Sequence, residues 1–425
     1  MATIQAPKGT ADVVPAQSYR WHALEAAIHE ACARAGYREV RTPVFEHTEL
    51  FLRGVGDTTD VVQKEMYTFQ DKGSRSITLK PEGTAGVVRM FIEQRLYAEP
   101  LPIKMYYAYC PNFRYEKPQS GRYRAFHQFG LEAFGAPDAA LDAEQIALAW
   151  GLLHTLGLRD LAVHINSIGC PGCRPIYHQR LKDFLQDRLE SLCDTCKERF
   201  VRNPMRILDC KSPACQAQLQ GAPSILACLC EDCDTHFTAL QAALSALEVP
   251  FTIDDGIVRG LDYYTKTVFE IIPTAPGMPT LCGGGRYDGL CEMLGGPAMP
   301  GMGFGMGMER VLMVLEQQQV ALAEPPTVEV YLCTQGDAAR MPALALLKAL
   351  RDAGVRADAD YMGRSLKAQF KYADKCGARL VAVLGEDELA RGMVTLRDMR
   401  TRQEAQVPMA GLADAARDML TSQNA

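Results

Sequence analysis

The sequence predicts an α+β domain built on a mainly antiparallel sheet, interrupted by a cysteine-rich insertion and followed by a small α/β domain. Three observations carry this reading. At 425 residues the chain exceeds what one hydrophobic core usually serves. Strand-like runs in the first part are joined by turn-rich links, whereas strands and helices alternate in the last hundred residues. Nine of the fifteen cysteines fall between Cys170 and Cys233, which marks a module of its own. The predicted boundaries are residues 1–325, with 170–248 as the insertion, and residues 327–425.

Residues 17–35 place Trp21, Leu24, Ile28, Ala31 and Ala35 at helical spacing, and Gly36 supplies a stop. The runs REVRTPVFE, SITLKPE, IKMYYAY and GRYRAFHQFGLE then read as strands, followed by a helix over 139–157 and a strand LAVHINSIG. After the cysteines the strand pattern resumes with FTIDDGIVRGLDYYTKTVFEIIP and ends in a helix, MERVLMVLEQQQ. The segment QQQVALAEPPT has no apolar period and carries Pro325–Pro326, which predicts a linker. Beyond it come strand VEVYLCT, helix 338–353, strand VRADADY, helix 365–376 and strand RLVAVLG, an order that implies a mainly parallel sheet.

Apolar and charged fractions of 48% and 23% are those of a soluble globular chain. A net charge of −6 argues against indiscriminate coating of nucleic acid or anionic membrane and leaves room for a local basic surface. No run approaches 18 uninterrupted apolar residues, and the N-terminus lacks a cationic start with an apolar core, so no membrane contact and a cytoplasmic location are expected. In such a compartment the cysteines read as reduced thiols or metal ligands rather than disulfides.

Counting by twos along GRYRAFHQFGLE puts Arg122, Arg124, Phe126, Gln128, Gly130 and Glu132 on one face, and Tyr123, Ala125, His127, Phe129 and Leu131 on the other. The second face is ordinary core, with His127 a packing residue. The first suits either solvent or a pocket for something charged and partly flat. Glycines at every second residue of GMGFGMGMER do not make a dinucleotide fingerprint; they leave one strand face bare, open to a planar ligand or another backbone. No phosphate-cradling G-x-x-x-x-G-K-[ST] loop occurs, so bound phosphates would be met by arginines.

Taken together, RTPVFE, FRYEKPQSGRYRAFHQFGLEAFG, RGLDYYT, CGGGRYDGL and GMGFGMGMER resemble, in chain order, the motifs of the histidyl-tRNA synthetases, a class II aminoacyl-tRNA synthetase family. The resemblance implies a class II catalytic domain, a C-terminal anticodon-binding domain, and a homodimer whose interface includes the RTPVFE motif around Pro43. It implies ATP-dependent activation of L-histidine, with Mg²⁺ accompanying ATP, and transfer to tRNA(His). Carried over residue by residue, Arg114 and Arg122 contact ATP phosphate, and Phe126 and Arg310 sandwich adenine. Glu82, Thr84 and Gln128 surround the histidine α-amino group, Glu132 with Tyr264 brackets the imidazole nitrogens, and Gly83 and Tyr263 also belong to the histidine-binding site. Arg259 is the catalytic residue at the α-phosphate, also touching histidine. Gln119 reads the acceptor end. Lys367 and Lys371, on a helix with Arg364, Lys375 and Arg379, contact tRNA; as a bare pattern that helix is a solvated face.

The cysteine module departs from the family pattern. Cys170-x₂-Cys173, 19 residues, then Cys193-x₂-Cys196 is close to the spacing of a four-cysteine structural Zn²⁺ site. Cys210, Cys215, Cys228, Cys230 and Cys233 either hold a second metal or complete the first; the alternative is a set of reduced structural or redox-active thiols. Two rivals to the enzymatic reading are a regulatory paralogue that binds histidine or a partner enzyme, and a class relative for proline, threonine or glycine. The first characteristically lacks the anticodon domain and parts of the ATP site, and the second should not carry RGLDYYT together with Glu132.

Overall fold

The computed structural model describes residues 3–422 apart from 57, 58, 109, 323 and 325–327, so the Pro325–Pro326 pair lies outside the described residues. The chain forms two compact units, Met1–Leu322 and Ala323–Ala425.

The first unit is organised by a nine-stranded sheet. Its order is Arg38–Glu39, Ile103–Tyr107, Ala125–Phe134, Gly301–Gly307, Cys282–Arg286, Thr265–Pro273, Leu161–Ser167 and Thr252–Ile253, with Pro111–Phe113 paired to Ala125–Phe134. Pairing is parallel only at the two ends and antiparallel between them. Alternation sorts the side chains: Phe129, Leu131, Phe269 and Phe304 join a core with Leu24 and Ile28 of helix Pro15–Arg34, Ile146 of Ala139–Thr155 and Leu240 of Glu231–Ala246. Phe134 and Val268 belong to a second core with Val87 and Phe91 of helix Thr84–Glu93 and with Tyr177, Leu181 and Ile207 of the cysteine module.

Three predicted strands are shorter than their apolar patterns. REVRTPVFE breaks at Pro43, which has no N–H for a ladder: Arg38–Glu39 stays in the main sheet, and Phe45–His47 joins Ser76–Leu79 and Tyr67–Gln70 in a separate three-stranded sheet. FTIDDGIVRGLDYYT is strand only at Thr252–Ile253, because the Asp254 carboxylate accepts from the Gly256 N–H at 3.0 Å and turns the chain; Arg259 to Tyr264 form a loop. The strand that carries the polar row begins only at Ala125, so the row starts at Phe126, since Gly121 at φ 70° and the Gln119–Arg122 bridge make a tight turn ahead of it. Arg122 and Arg124 therefore belong to that turn.

The second unit holds a five-stranded sheet in the order Ala357–Ala359, Val330–Thr334, Leu380–Leu384, Met393–Asp398 and Glu404–Pro408. The first three are parallel, as the alternation with helices Arg340–Asp352 and Leu366–Lys375 requires. The last two are antiparallel, so the sheet is mixed rather than mainly parallel: the Asp398 carboxylate accepts from the N–H groups of Arg400 and Thr401 and closes a tight hairpin.

Candidate active site

One cavity of about 580 Å³ opens on the first unit's sheet, and most of the residues singled out in the sequence meet there. Glu82, Thr84, Arg114, Arg122, Phe126, Gln128, Arg259, Tyr263, Tyr264 and Arg310 all line it. Lys367 and Lys371 lie in the other unit, exposed on helix Leu366–Lys375; beside them Arg364 is paired with Asp360 at 2.7 Å. Gln119 is exposed at the hairpin turn.

The glycine-alternating strand explains the floor. A Cβ at Gly303 would overlap the Glu132 carboxylate, and one at Gly305 the Gln128 amide. The bare face is thus filled by the protein's own polar row, and only Gly305 and Gly307 of that strand line the cavity. Gln128 is oriented by Asn112, whose Nδ2 donates to Oε1 at 3.0 Å.

Two residues implied for histidine binding sit behind the lining. Gly83 is the space that the Tyr107 ring occupies, as is Gly130, because a Cβ at either would lie within that ring. Glu132 has no exposed surface; its carboxyl accepts from Thr84 Oγ1 at 2.7 Å, Tyr107 Oη at 3.4 Å and Tyr287 Oη. Burial pushes its pKa up to about 8, with the charge of Glu82 adding to the effect and the hydroxyl donors opposing it. Glu82 is also buried and raised by desolvation, though its oxygens accept from the backbone N–H groups of Thr84 and Ala85 at 2.7 and 2.9 Å. Those bonds fix it at the start of helix Thr84–Glu93. Burial keeps Tyr107, Tyr263, Tyr264 and Tyr287 as neutral phenols.

Four guanidiniums reach the cavity on different supports. Arg310 donates from Nε to the Gly121 carbonyl and from Nη1 to the Thr280 carbonyl, each at 2.8 Å, which fixes the plane of the group. Burial and the neighbouring Arg122 lower its pKa. Arg114 donates from Nε to the Pro81 carbonyl at 2.8 Å and lies 5.8 Å from the centre of the Phe126 ring. Arg122 is 3.5 Å from Glu116. Arg259 pairs with Glu270, its Nη2 would lie 2.6 Å from a Cβ on Gly283, and its Nε has no hydrogen-bond partner. Arg124, predicted on the same face, instead stacks over Tyr115 at 4.0 Å outside the lining.

His127 lies on the packing face, edge-on to Trp21, and its N–H and Nδ1 meet the Glu309 carboxylate. The sequence reading missed Glu270, Thr280 and Gly283, and Asp209 and Lys211, which enter the cavity from the cysteine module. A lone acid inside the apolar strand run TVFEII was a usable signal for Glu270; Asp209 and Lys211 carried none.

The predicted grouping of cysteines is corrected by the fold. Cys170 and Cys173 do not meet Cys193 and Cys196: the first pair gathers with Cys230 and Cys233, and the second with Cys210 and Cys215. The helix Cys173–Leu185 and the turns after it separate the two pairs, so nearness in sequence did not become nearness in space. Among the described residues Cys228 belongs to neither group.

A family model described as histidyl-tRNA synthetase matches residues 9–311, and one described as an anticodon binding domain matches residues 329–419. The chain is 54% identical over 420 residues to the histidine–tRNA ligase of Moorella thermoacetica, covering 98% of both chains. It is 50% identical over 418 residues to that of Clostridioides difficile, covering 98% of this chain and 99% of the relative. The crystal structure of apo S. aureus histidyl-tRNA synthetase superposes with a TM-score of 0.83 at 38% identity, over 97% of this chain and 99% of that one.

Proposed function

The chain belongs to the histidyl-tRNA synthetase family, and we propose from that premise that its cavity seats histidine and ATP side by side, with Arg259 as the catalytic residue between them. The chain is a histidine–tRNA ligase, a catalytic aminoacyl-tRNA synthetase rather than a regulatory relative. The observation that supports the division of roles is the convergence of Arg114, Arg122, Arg259 and Arg310 with Glu82, Thr84, Gln128 and Tyr264 on one cavity.

Histidine enters with its α-amino group against Glu82, Thr84 and Gln128. Its imidazole is taken by Tyr264 and Glu132, the carboxyl exchanging its Thr84 or Tyr107 hydrogen bond for a ring N–H; Tyr263 backs Tyr264 at 4.6 Å between ring centres. Adenine lies between Phe126 and the fixed plane of Arg310, and Arg114 and Arg122 hold phosphate, with Mg²⁺ entering as part of the ATP substrate. The histidine carboxylate attacks the α-phosphorus in line, releasing pyrophosphate and forming histidyl-adenylate; the terminal hydroxyl of tRNA(His) then takes the histidyl group. The step needs alignment and charge neutralisation more than a base, and Arg259 supplies the charge at the α-phosphate. Discrimination against other amino acids follows from buried groups left unpaired by any side chain that lacks two ring nitrogens.

Tyrosine and phenylalanine on the small sheet favour a homodimer. Phe45 and Tyr67 both oppose Leu79, and Phe69 opposes Ile77 two residues away, so these form one apolar face on which Phe45 and Phe69 are about half exposed. The second unit takes the anticodon end of the tRNA, with Lys367 and Lys371 on phosphate, and Gln119 meets the acceptor end. No helix among the described residues is long and apolar enough to cross a membrane, and a cytoplasmic site of action follows from the reaction's substrates.

Histidine-dependent exchange of labelled pyrophosphate into ATP tests the first half-reaction directly. The expected result is robust exchange with histidine alone, lost in Arg310→Ala; exchange that is indifferent to Arg310 would remove the proposed adenine seat.

A further inference from the structure

Of the cysteines outside the cavity, the fold gathers eight into two sets of four. In each set the sulfurs lie within 4.8 Å of one another. Separations are 3.6 Å for Cys170–Cys173, 3.9 Å for Cys170–Cys230 and 3.9 Å for Cys193–Cys210. Four sulfurs placed about 2.3 Å from a central Zn²⁺ form a tetrahedron with edges of about 3.8 Å. Disulfide sulfurs would be only about 2.0 Å apart. Ligands of an iron–sulfur cube bind different irons and stand more widely than these sets allow.

The surroundings suit thiolates. In both sets a C-x₂-C pair closes a turn, with Cys173 N–H donating to the Cys170 carbonyl at 3.0 Å and Cys196 N–H to the Cys193 carbonyl at 2.8 Å. A backbone N–H already points at a sulfur in each: Cys230 to Cys173 Sγ at 3.1 Å, and Cys193 to Cys215 Sγ at 3.2 Å. Cys193 and Cys230 also stand at the positive ends of helices Asp194–Arg202 and Glu231–Ala246. Five of the eight are buried, Cys170 and Cys193 are half-buried and Cys230 is exposed.

We infer that the chain binds two structural Zn²⁺ ions, one in each four-cysteine set, and that the ion at Cys193, Cys196, Cys210 and Cys215 holds the catalytic loop in place. The 13 residues between Cys196 and Cys210 reach that loop. Asn203 Nδ2 donates to Asp262 Oδ1 at 3.1 Å and Arg206 Nη1 to the Gly260 carbonyl at 2.9 Å, on either side of Leu261 and next to Arg259. Asp209, adjacent to a ligand, and Lys211 line the cavity itself. Tying the two ends of this segment to one ion removes most of its freedom to leave the loop. The coupling rests on the assignment of Arg259; the metal count does not.

The test uses full-length untagged protein purified without chelator. Two zinc ions per chain are expected by elemental analysis, and refilling with Co²⁺ alone should give tetrathiolate spectra at both sites. Cys170→Ser/Cys230→Ser should retain one ion, and Cys193→Ser/Cys215→Ser the other. Loss of the second ion should slow single-turnover adenylate formation about 10-fold or more, the scale of a misplaced catalytic group, and Cys193→His, which keeps a zinc ligand, should restore both ion and rate. Fewer than two ions in the unaltered chain overturns the metal assignment. Loss of the second ion without a change in rate overturns the coupling, provided Arg259→His is slow; if that variant is also fast, the catalytic assignment has failed instead.

Discussion

Arg259 donates from Nη1 to the carboxylate of Glu270, across from a glycine whose missing side chain gives the guanidinium its space. The pair holds a partly buried cation at the cavity wall: burial disfavours the charged form, the Glu270 carboxylate helps to more than offset it, and the Arg259 pKa is raised, so its charge is permanent.

Replacing this arginine should separate binding from chemistry. Arg259→His is expected to lower single-turnover adenylate formation by roughly 10²-fold or more, the scale of losing one preorganised charge stabiliser, with histidine binding largely intact. Unchanged adenylate formation would exclude Arg259 from the reaction.

Neighbouring glycines should respond differently to the same methyl group. At Gly283 an added Cβ meets only the far end of Arg259, so Gly283→Ala should displace the guanidinium and cost roughly 10²-fold in activation rate while Tm hardly moves. At Gly284 the Cβ would run into the Gly303 carbonyl and Phe304 across the ladder, and Gly284→Ala should lower Tm. Thermal melts and pyrophosphate exchange on both variants distinguish the two effects.

Glu132 should give stability a pH dependence of definite sign. Its folded pKa of about 8 exceeds the ordinary carboxylate value, so the folded state binds more protons than the unfolded one between about pH 4.5 and 8. Its contribution therefore favours folding at low pH and is lost as pH rises through 8. Glu132→Gln, a neutral analogue, should show a Tm difference from the unaltered chain that grows more positive from pH 5 to pH 9, by about 2 °C or more. A difference independent of pH would mean that Glu132 is ionised throughout.

Arg286, from the CGGGRYDGL segment, is entirely buried and serves the fold rather than the substrate. Its Nε donates to Asp142 at 3.2 Å, its Nη1 to the Ala136 carbonyl at 3.0 Å, and His236 approaches the same carboxylate at 2.9 Å. Arg286→Met should cost about 3–5 kcal/mol by leaving the buried Asp142 carboxylate with His236 as its one remaining partner among the described residues, and the Asp142→Asn/Arg286→Met double variant less than the sum of the single changes. Urea titration of the three proteins measures this.

The exposed lysines of the second unit should matter for tRNA alone. Lys367→Ala/Lys371→Ala is expected to reduce the slope of log affinity against log salt by about 2 and to leave histidine-dependent pyrophosphate exchange unaltered. An unchanged salt slope would return this helix face to solvent.

The sequence by itself determined the elements and the inventory of chemical groups. Period-two runs such as the one through Phe129 and Leu131 marked the sheet, helical spacing marked Pro15–Arg34, and five ordered motifs named the family, because local pattern and residue identity are written along the chain. Tertiary structure alone decided what each group faces. It set Glu132 behind Tyr107 and Tyr287, turned Arg124 away onto Tyr115, brought Glu270 to Arg259, and sorted the cysteines into two sets. Those outcomes depend on contacts between residues from about ten positions apart, as for Arg124 with Tyr115 and Arg259 with Glu270, to 155 apart for Glu132 with Tyr287, and in the cysteine module on which helix ends pack together. Spacing along the chain does not encode such distances, because turns and packing, not sequence separation, fix where side chains meet.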